Sequence, residues 1–132
     1  MTGNQTPRVL VVDNEDVVRV LMARMLRDGG YDVVEAANGR VALDLLGAAP
    51  TNHFDVVVTN TQLPGINGFE FVRTMLEQHP QLRVIHISGH PESLDDERFD
   101  ALDGVVTTLA KPFTSAALKG AVERALEAAR HV

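Results

Sequence analysis

"VVVTNTQLPGING", residues 56–68, runs four apolar or β-branched residues into Asn60 and then turns through Pro64, Gly65 and Gly68. Such a run reads as a buried strand that carries one polar side chain to its C-terminal end. The strand itself begins at Phe54, and four more runs of the same kind flank it: "RVLVVD" (8–13), "YDVVEA" (31–36), "RVIHIS" (83–88) and "GVVTTLA" (104–110). Several are apolar on both faces, as a parallel sheet covered on both sides requires.

Helical spacing fills the intervals. Val17, Val18, Leu21 and Met25 mark one face, Val41, Ala42, Leu45 and Leu46 a second, and Phe69, Val72 and Leu76 a third. The last segment repeats Leu118, Ala121, Val122, Ala125, Leu126 and Ala129 at spacings of three and four, a core stripe. Between the fourth and fifth strands, "HPESLDDERFDALDG" (90–104) has only Leu94, Phe99 and Leu102 to anchor a helix, and is expected to be the loosest element. Five strands alternating with five helices predict an α/β fold, (βα)5, with a doubly wound five-stranded parallel sheet and right-handed crossovers.

With 132 residues the chain is expected to be a single domain over 1–132 that buries close to two-thirds of its unfolded surface without staples. It has no Cys, which removes disulfides, thiolate zinc sites and thiol nucleophiles together. A net charge of -6 without a Lys/Arg cluster argues against nucleic acid as a direct partner. No apolar run reaches the length of a membrane span, and "MTGNQTPR" lacks the apolar stretch of a signal peptide, so a cytoplasmic protein without a membrane partner is expected.

In open parallel sheets chemistry collects at the C-terminal ends of the strands. The residues at or just beyond those ends are Asp13, Asn14, Glu15 and Asp16, then Asn60, Ser88, and Lys111 before Pro112. A carboxylate, two amides, a hydroxyl and an ammonium in one crevice could coordinate an oxyanion or a small hard cation. Taken singly, each has a plainer reading. Asp13 and Asn14 suit a helix N-cap region, Ser88 could bond local backbone, and Lys111 could pair with Asp13 as structural glue. His53, His79, His86 and His90 lack metal-ligand spacing and read as scattered surface or packed side chains. "NG" at 38–39 and 67–68 reads as turn chemistry, and the acidic run at 92–100 as a solvated face.

Taken together, "VLVVDNE", "DVVVTNTQLPGINGFE", "VIHISGH" and "LAKPF" resemble the receiver domain of bacterial two-component response regulators, in the right order from Arg8 to Arg130. The resemblance implies the flavodoxin-like receiver fold. It further implies that an acidic pair after the first strand binds Mg²⁺, that an Asp ending the third accepts a phosphoryl group from a histidine kinase, and that a hydroxyl ending the fourth binds a phosphoryl oxygen. A Lys joined to a Pro, usually by a cis bond, completes such a site. Matched by position, Asp13 and Asn14 take the acidic pair, Asn60 the phosphoacceptor, Ser88 the hydroxyl and Lys111 the Lys. Gln62 falls where a backbone carbonyl meets the metal, and Thr108 where an aromatic side chain usually reports the switch. Glu15 takes a position that usually points away.

Asn14, Asn60 and Thr108 depart from that pattern. A carboxamide is neutral, its nitrogen lone pair is delocalised, and it does not form the acyl phosphate that a carboxylate forms. Asp13 is left as the one clear anionic ligand, so weak or no Mg²⁺ binding is expected and no other cofactor is implied. Two carboxylates about 4 Å apart repel by roughly 4 kcal/mol at an effective dielectric of about 20, and the amides remove that repulsion from the empty pocket. Thr108 is too small to carry a rotamer signal to the surface.

The reading is a non-enzymatic pseudo-receiver that acts through protein contacts in phosphorelay signalling. Its implied partners are a histidine kinase, a phosphotransfer protein or an output protein, with a homodimer through the 90–130 face open. The alternative is a phospho-accepting switch in which Asn60 replaces a native Asp by mutation; Asn14 and Thr108 count against it. An enzyme or flavin-binding protein is disfavoured, because no Gly-rich phosphate loop, nucleophile and base pair, or stacking aromatic pair occurs.

Overall fold

The computed structural model describes residues 6–48, 53–60, 65, 67–89 and 101–130. Five strands form one parallel sheet: β1 (Arg8–Val12), β2 (Asp32–Ala36), β3 (Val56–Asn60), β4 (Arg83–Ser88) and β5 (Val105–Ala110), in the order β2-β1-β3-β4-β5. Among the described residues four helices connect or follow them: α1 (Asp16–Asp28), α2 (Gly39–Gly47), α3 (Gly68–Gln78) and α4 (Ser115–Arg130). The expected helix at 90–104 lies outside the described residues up to 100, and 101–104 form a turn into β5.

The central strands are buried on both faces, as their continuous apolar runs require. On one face Val9, Val11, Val58 and Ile85 pack with Met22 and Leu26 of α1 and Leu118 and Val122 of α4. On the other, Leu10, Val12 and Val57 pack with Ala42 and Leu46 of α2 and Phe71 and Met75 of α3. The order places β1 and β3 side by side at the centre, where the chain winds off in opposite directions and a crevice opens above the strand ends.

The helix faces need two corrections. On α1 the buried residues are Met22, Ala23 and Leu26, and Val18 and Met25 of the expected stripe pack partly buried against the same core, whereas Val17 is 82% exposed and Leu21 51%. The helix is apolar around much of its girth, so spacing alone offers two stripes, and contact with the sheet selects the one that includes Leu26. On α2, Ala42 and Leu46 are buried but Val41 faces out. The two "NG" pairs are helix starts instead of free turns. Asn38 Oδ1 accepts the Val41 N–H at 2.9 Å and Asn67 Oδ1 the Glu70 N–H at 3.1 Å, each capping its helix.

Gly104 turns the chain into β5 with φ +102°, and a Cβ there would lie 2.6 Å from Leu76 Cδ2. Gly104→Ala is therefore expected to destabilise the domain by about 1–3 kcal/mol through backbone strain and the contact. Urea unfolding measures it, and an unchanged midpoint would contradict the geometry.

Candidate functional site

Parallel register brings the polar strand ends to one edge. Val12 lies opposite Thr59, Asn60 opposite Ile87, and Ser88 opposite Ala110. Asp13 follows Val12, so it stands beside Asn60. Two backbone hydrogen bonds close the edge: Asp13 N–H to the Ala36 carbonyl at 3.1 Å and Lys111 N–H to the Ser88 carbonyl at 2.8 Å. The Lys111–Pro112 peptide is cis. The sheet register therefore brings Asp13, Asn60, Ser88 and Lys111 to the same end of the sheet.

Asp13 is fully buried. Its Oδ1 accepts the Glu15 N–H at 2.8 Å, while Oδ2, equally buried, has no hydrogen-bond partner among the described residues. The N-cap of α1 is Glu15, without a side-chain cap, so neither Asp13 nor Asn14 serves as the cap. Asn14 is exposed and lines a groove of about 500 Å³ with Asn38, Gly39, Arg40 and Asp44 on the α2 side. Asn60 is 6% exposed, and Thr59 Oγ1 donates to its carbonyl at 2.8 Å. Ser88 is buried as well. Gln62 lies outside the described residues.

Three relationships were not legible from spacing. Lys111 Nζ lies 4.0 Å from Glu15 Oε1, so the ammonium is drawn toward Glu15, and that residue faces the site instead of pointing away. Half-exposed and long, this pair contributes little stability. Arg19 Nη1 donates to the Asp13 carbonyl at 3.1 Å and pairs with Asp16 at 2.8 Å, while its Nε meets Glu35 of β2 at 3.2 Å. Burial works against the guanidinium charge, yet the hydrogen bonds and charges of Asp16 and Glu35 hold its pKa above the ordinary value. The clamp fixes the turn that presents Asp13. Its Asp16–Arg19 half follows the i,i+3 spacing rule; its Glu35 half needs the sheet.

His86 is the third. It is buried in β4, opposite both Thr59 and Thr108, and its Nδ1 lies 3.3 Å from Thr108 Oγ1. The position expected to lack a relay side chain is thus tied to a buried imidazole. His53 is exposed and paired with Asp55 at 3.2 Å, His79 ends α3, and His90 lies outside the described residues.

The donor set decides what cation the edge suits. Mg²⁺ keeps several waters and is drawn from solution by carboxylates together with phosphate oxygens. Here one buried carboxylate oxygen is free, Asn60 is an amide, and the Glu15 carboxylate faces Lys111. No group of three His, Cys, Asp or Glu among the described residues is placed to hold a metal. This set does not fit a resident Mg²⁺. No helix among the described residues is long and apolar enough to cross a membrane.

The arrangement can be set beside known proteins. LuxN of Vibrio campbellii, an autoinducer 1 sensor kinase/phosphatase, is 33% identical over 118 residues, 89% of this chain but 13% of LuxN. The chain therefore spans a small part of that relative. Sporulation initiation phosphotransferase F of Bacillus subtilis is 30% identical over 119 residues, covering 90% of this chain and 93% of that protein. The structure of response regulator TrrA of Thermotoga maritima, in complex with Mg²⁺ and BeF, superposes with a TM-score of 0.79 at 27% identity, over 92% of this chain and all of that one. Residues 9–123 match the response regulator receiver domain. With the β2-β1-β3-β4-β5 sheet and the polar edge above it, that match means the chain belongs to the response regulator receiver domain family of two-component signalling.

Proposed function

We propose that this receiver domain does not accept a phosphoryl group and acts as a protein-interaction module in a phosphorelay. The observation that carries the reading is Asn60, a buried amide that ends β3 beside Asp13, at the position matched to the family's phosphoacceptor. A carboxamide gives no acyl phosphate, and the donor set around it lacks the charge to recruit Mg²⁺. Thr108, engaged with His86, has no aromatic ring to swing.

Contact with protein partners is supported by an apolar stripe on α1, which begins at the site: Val17, Val20 and Leu21 are all more than half exposed. The likeness to a sensor kinase and to a phosphotransferase points to kinases, phosphotransfer proteins or output proteins as partners. A switch silenced at Asn60 alone is the second reading. The retained Ser88 and Lys111 and the unpartnered Asp13 Oδ2 favour it.

Intact-mass analysis after incubation with acetyl phosphate and Mg²⁺ tests the proposal. The expected spectrum is unchanged, and a gain of one phosphoryl mass would overturn it.

A further inference from the structure

We infer that α1 pairs with α1 of a second copy of this chain, the two helices antiparallel about a two-fold axis between Val20 and Leu21. The inference rests on the reading of α1 as a contact face and names its occupant. Val17 is 82% exposed, Val20 52% and Leu21 51%. With Arg24 they recur at spacings of three and four along one side of the helix, so the exposure is a continuous stripe and not a scatter of single side chains. Among the described residues, Val41 at the start of α2 is the one other large apolar side chain this exposed. The described side chains of 101–130, within the face expected to carry a homodimer, include none.

The charges that flank the stripe point to what covers it. Its N-terminal end is acidic, with Glu15 and Asp16 exposed, and its C-terminal end carries Arg24 and Arg27, also exposed. A parallel copy of this helix would set like charges side by side. An antiparallel copy sets acid against base and places opposite helix-dipole ends together.

About an axis between positions 20 and 21, Val20 faces Leu21 of the second copy, and Val17 faces Arg24. Arg24 has no hydrogen bond or ion pair among the described residues. Its aliphatic stem suits a cover over Val17 of the second copy, with the guanidinium directed to Asp16 of that copy. Arg19 takes only Oδ1 of Asp16, which leaves Oδ2 as an acceptor. Asp28, the acidic residue at the C-terminal end, falls beyond the first residue of the facing helix and so does not oppose Asp16. A closed two-fold pair makes every such contact twice. Three apolar side chains from each copy form a smaller interface than stable dimers bury, so the association is weak and reversible.

Sedimentation velocity of the intact chain, from micromolar to near-millimolar concentration, tests the pairing. The chain is expected to shift from monomer toward dimer across that range. Leu21→Asp puts a charge at the centre of the contact and is expected to weaken association by about tenfold or more. Arg24→Glu sets acid against acid and is expected to weaken it severalfold, with Arg24→Lys restoring most of the loss. Both positions are exposed, so these variants are expected to melt with the intact chain. Because the chain has no Cys, Val20→Cys gives a second readout. Beside the axis, it is expected to oxidise to a disulfide-linked dimer well before Arg124→Cys, an exposed control on α4. A chain that stays monomeric throughout would overturn the inference and give the stripe to a different protein. A dimer that Leu21→Asp and Arg24→Glu leave intact, or equal cross-linking at positions 20 and 124, would overturn it by placing the interface elsewhere. A phosphoryl gain in the mass measurement would instead sink the reading of Asn60 and leave the association untouched, so the two failures are distinguishable.

Discussion

Asn60→Asp is expected to gain one phosphoryl group from acetyl phosphate in the presence of Mg²⁺, where the unaltered chain gains none. The substitution adds a nucleophilic carboxylate and a second anionic ligand in one step, at a position buried beside Asp13. Little else at the edge has to change. Asp13 Oδ2 has no hydrogen-bond partner among the described residues, Ser88 ends β4, and the Lys111 backbone is held by its N–H bond to the Ser88 carbonyl. Uptake is expected to need more Mg²⁺ than a site with a full acidic pair, because position 14 remains an amide. The measurement is intact mass across a Mg²⁺ titration, with the unaltered chain alongside. Uptake by the variant alone would locate the block at the side chain of residue 60, as the proposal has it; uptake by neither would show that Asn14 or Thr108 also disables the pocket.

Leu26→Ala and Leu21→Ala remove the same atoms from the same helix, yet they are expected to differ severalfold in cost. Leu26 is fully buried between α1 and the sheet, so truncation loses apolar transfer and leaves a cavity, about 2–5 kcal/mol. Leu21 is half exposed, and its truncation is expected to stay within about 0.5 kcal/mol. Against a total stability of about 5–15 kcal/mol for a domain, the first loss is a large fraction and the second is negligible. Urea midpoints of both variants, compared at equal slope, decide it. Equal losses would mean that α1 turns a different face to the sheet.

That pair also shows how far the sequence could be read. α1 carries Val17, Val18, Val20, Leu21, Met22, Met25 and Leu26 within thirteen residues, so two overlapping stripes satisfy helical spacing. Periodicity cannot choose between them, because the choice is made by the surface the helix meets. The same holds for Asn38 and Asn67. Each reads as turn chemistry, and becomes a cap only because helical residues follow whose N–H groups need an acceptor.

By itself the sequence determined the five strands, their parallel arrangement, and the identity of the polar residues at their C-terminal ends. Strand runs that are apolar on both faces have one stable solution, burial between helical layers, and their last residues must emerge at a common edge. Tertiary structure alone decided the pairing of those residues: Lys111 toward Glu15, Arg19 across to Glu35, His86 with Thr108, and Asp13 Oδ2 without a partner. These contacts join elements distant in the chain, and at such separations the neighbour of a charged group is set by sheet register and loop geometry, which local spacing does not encode.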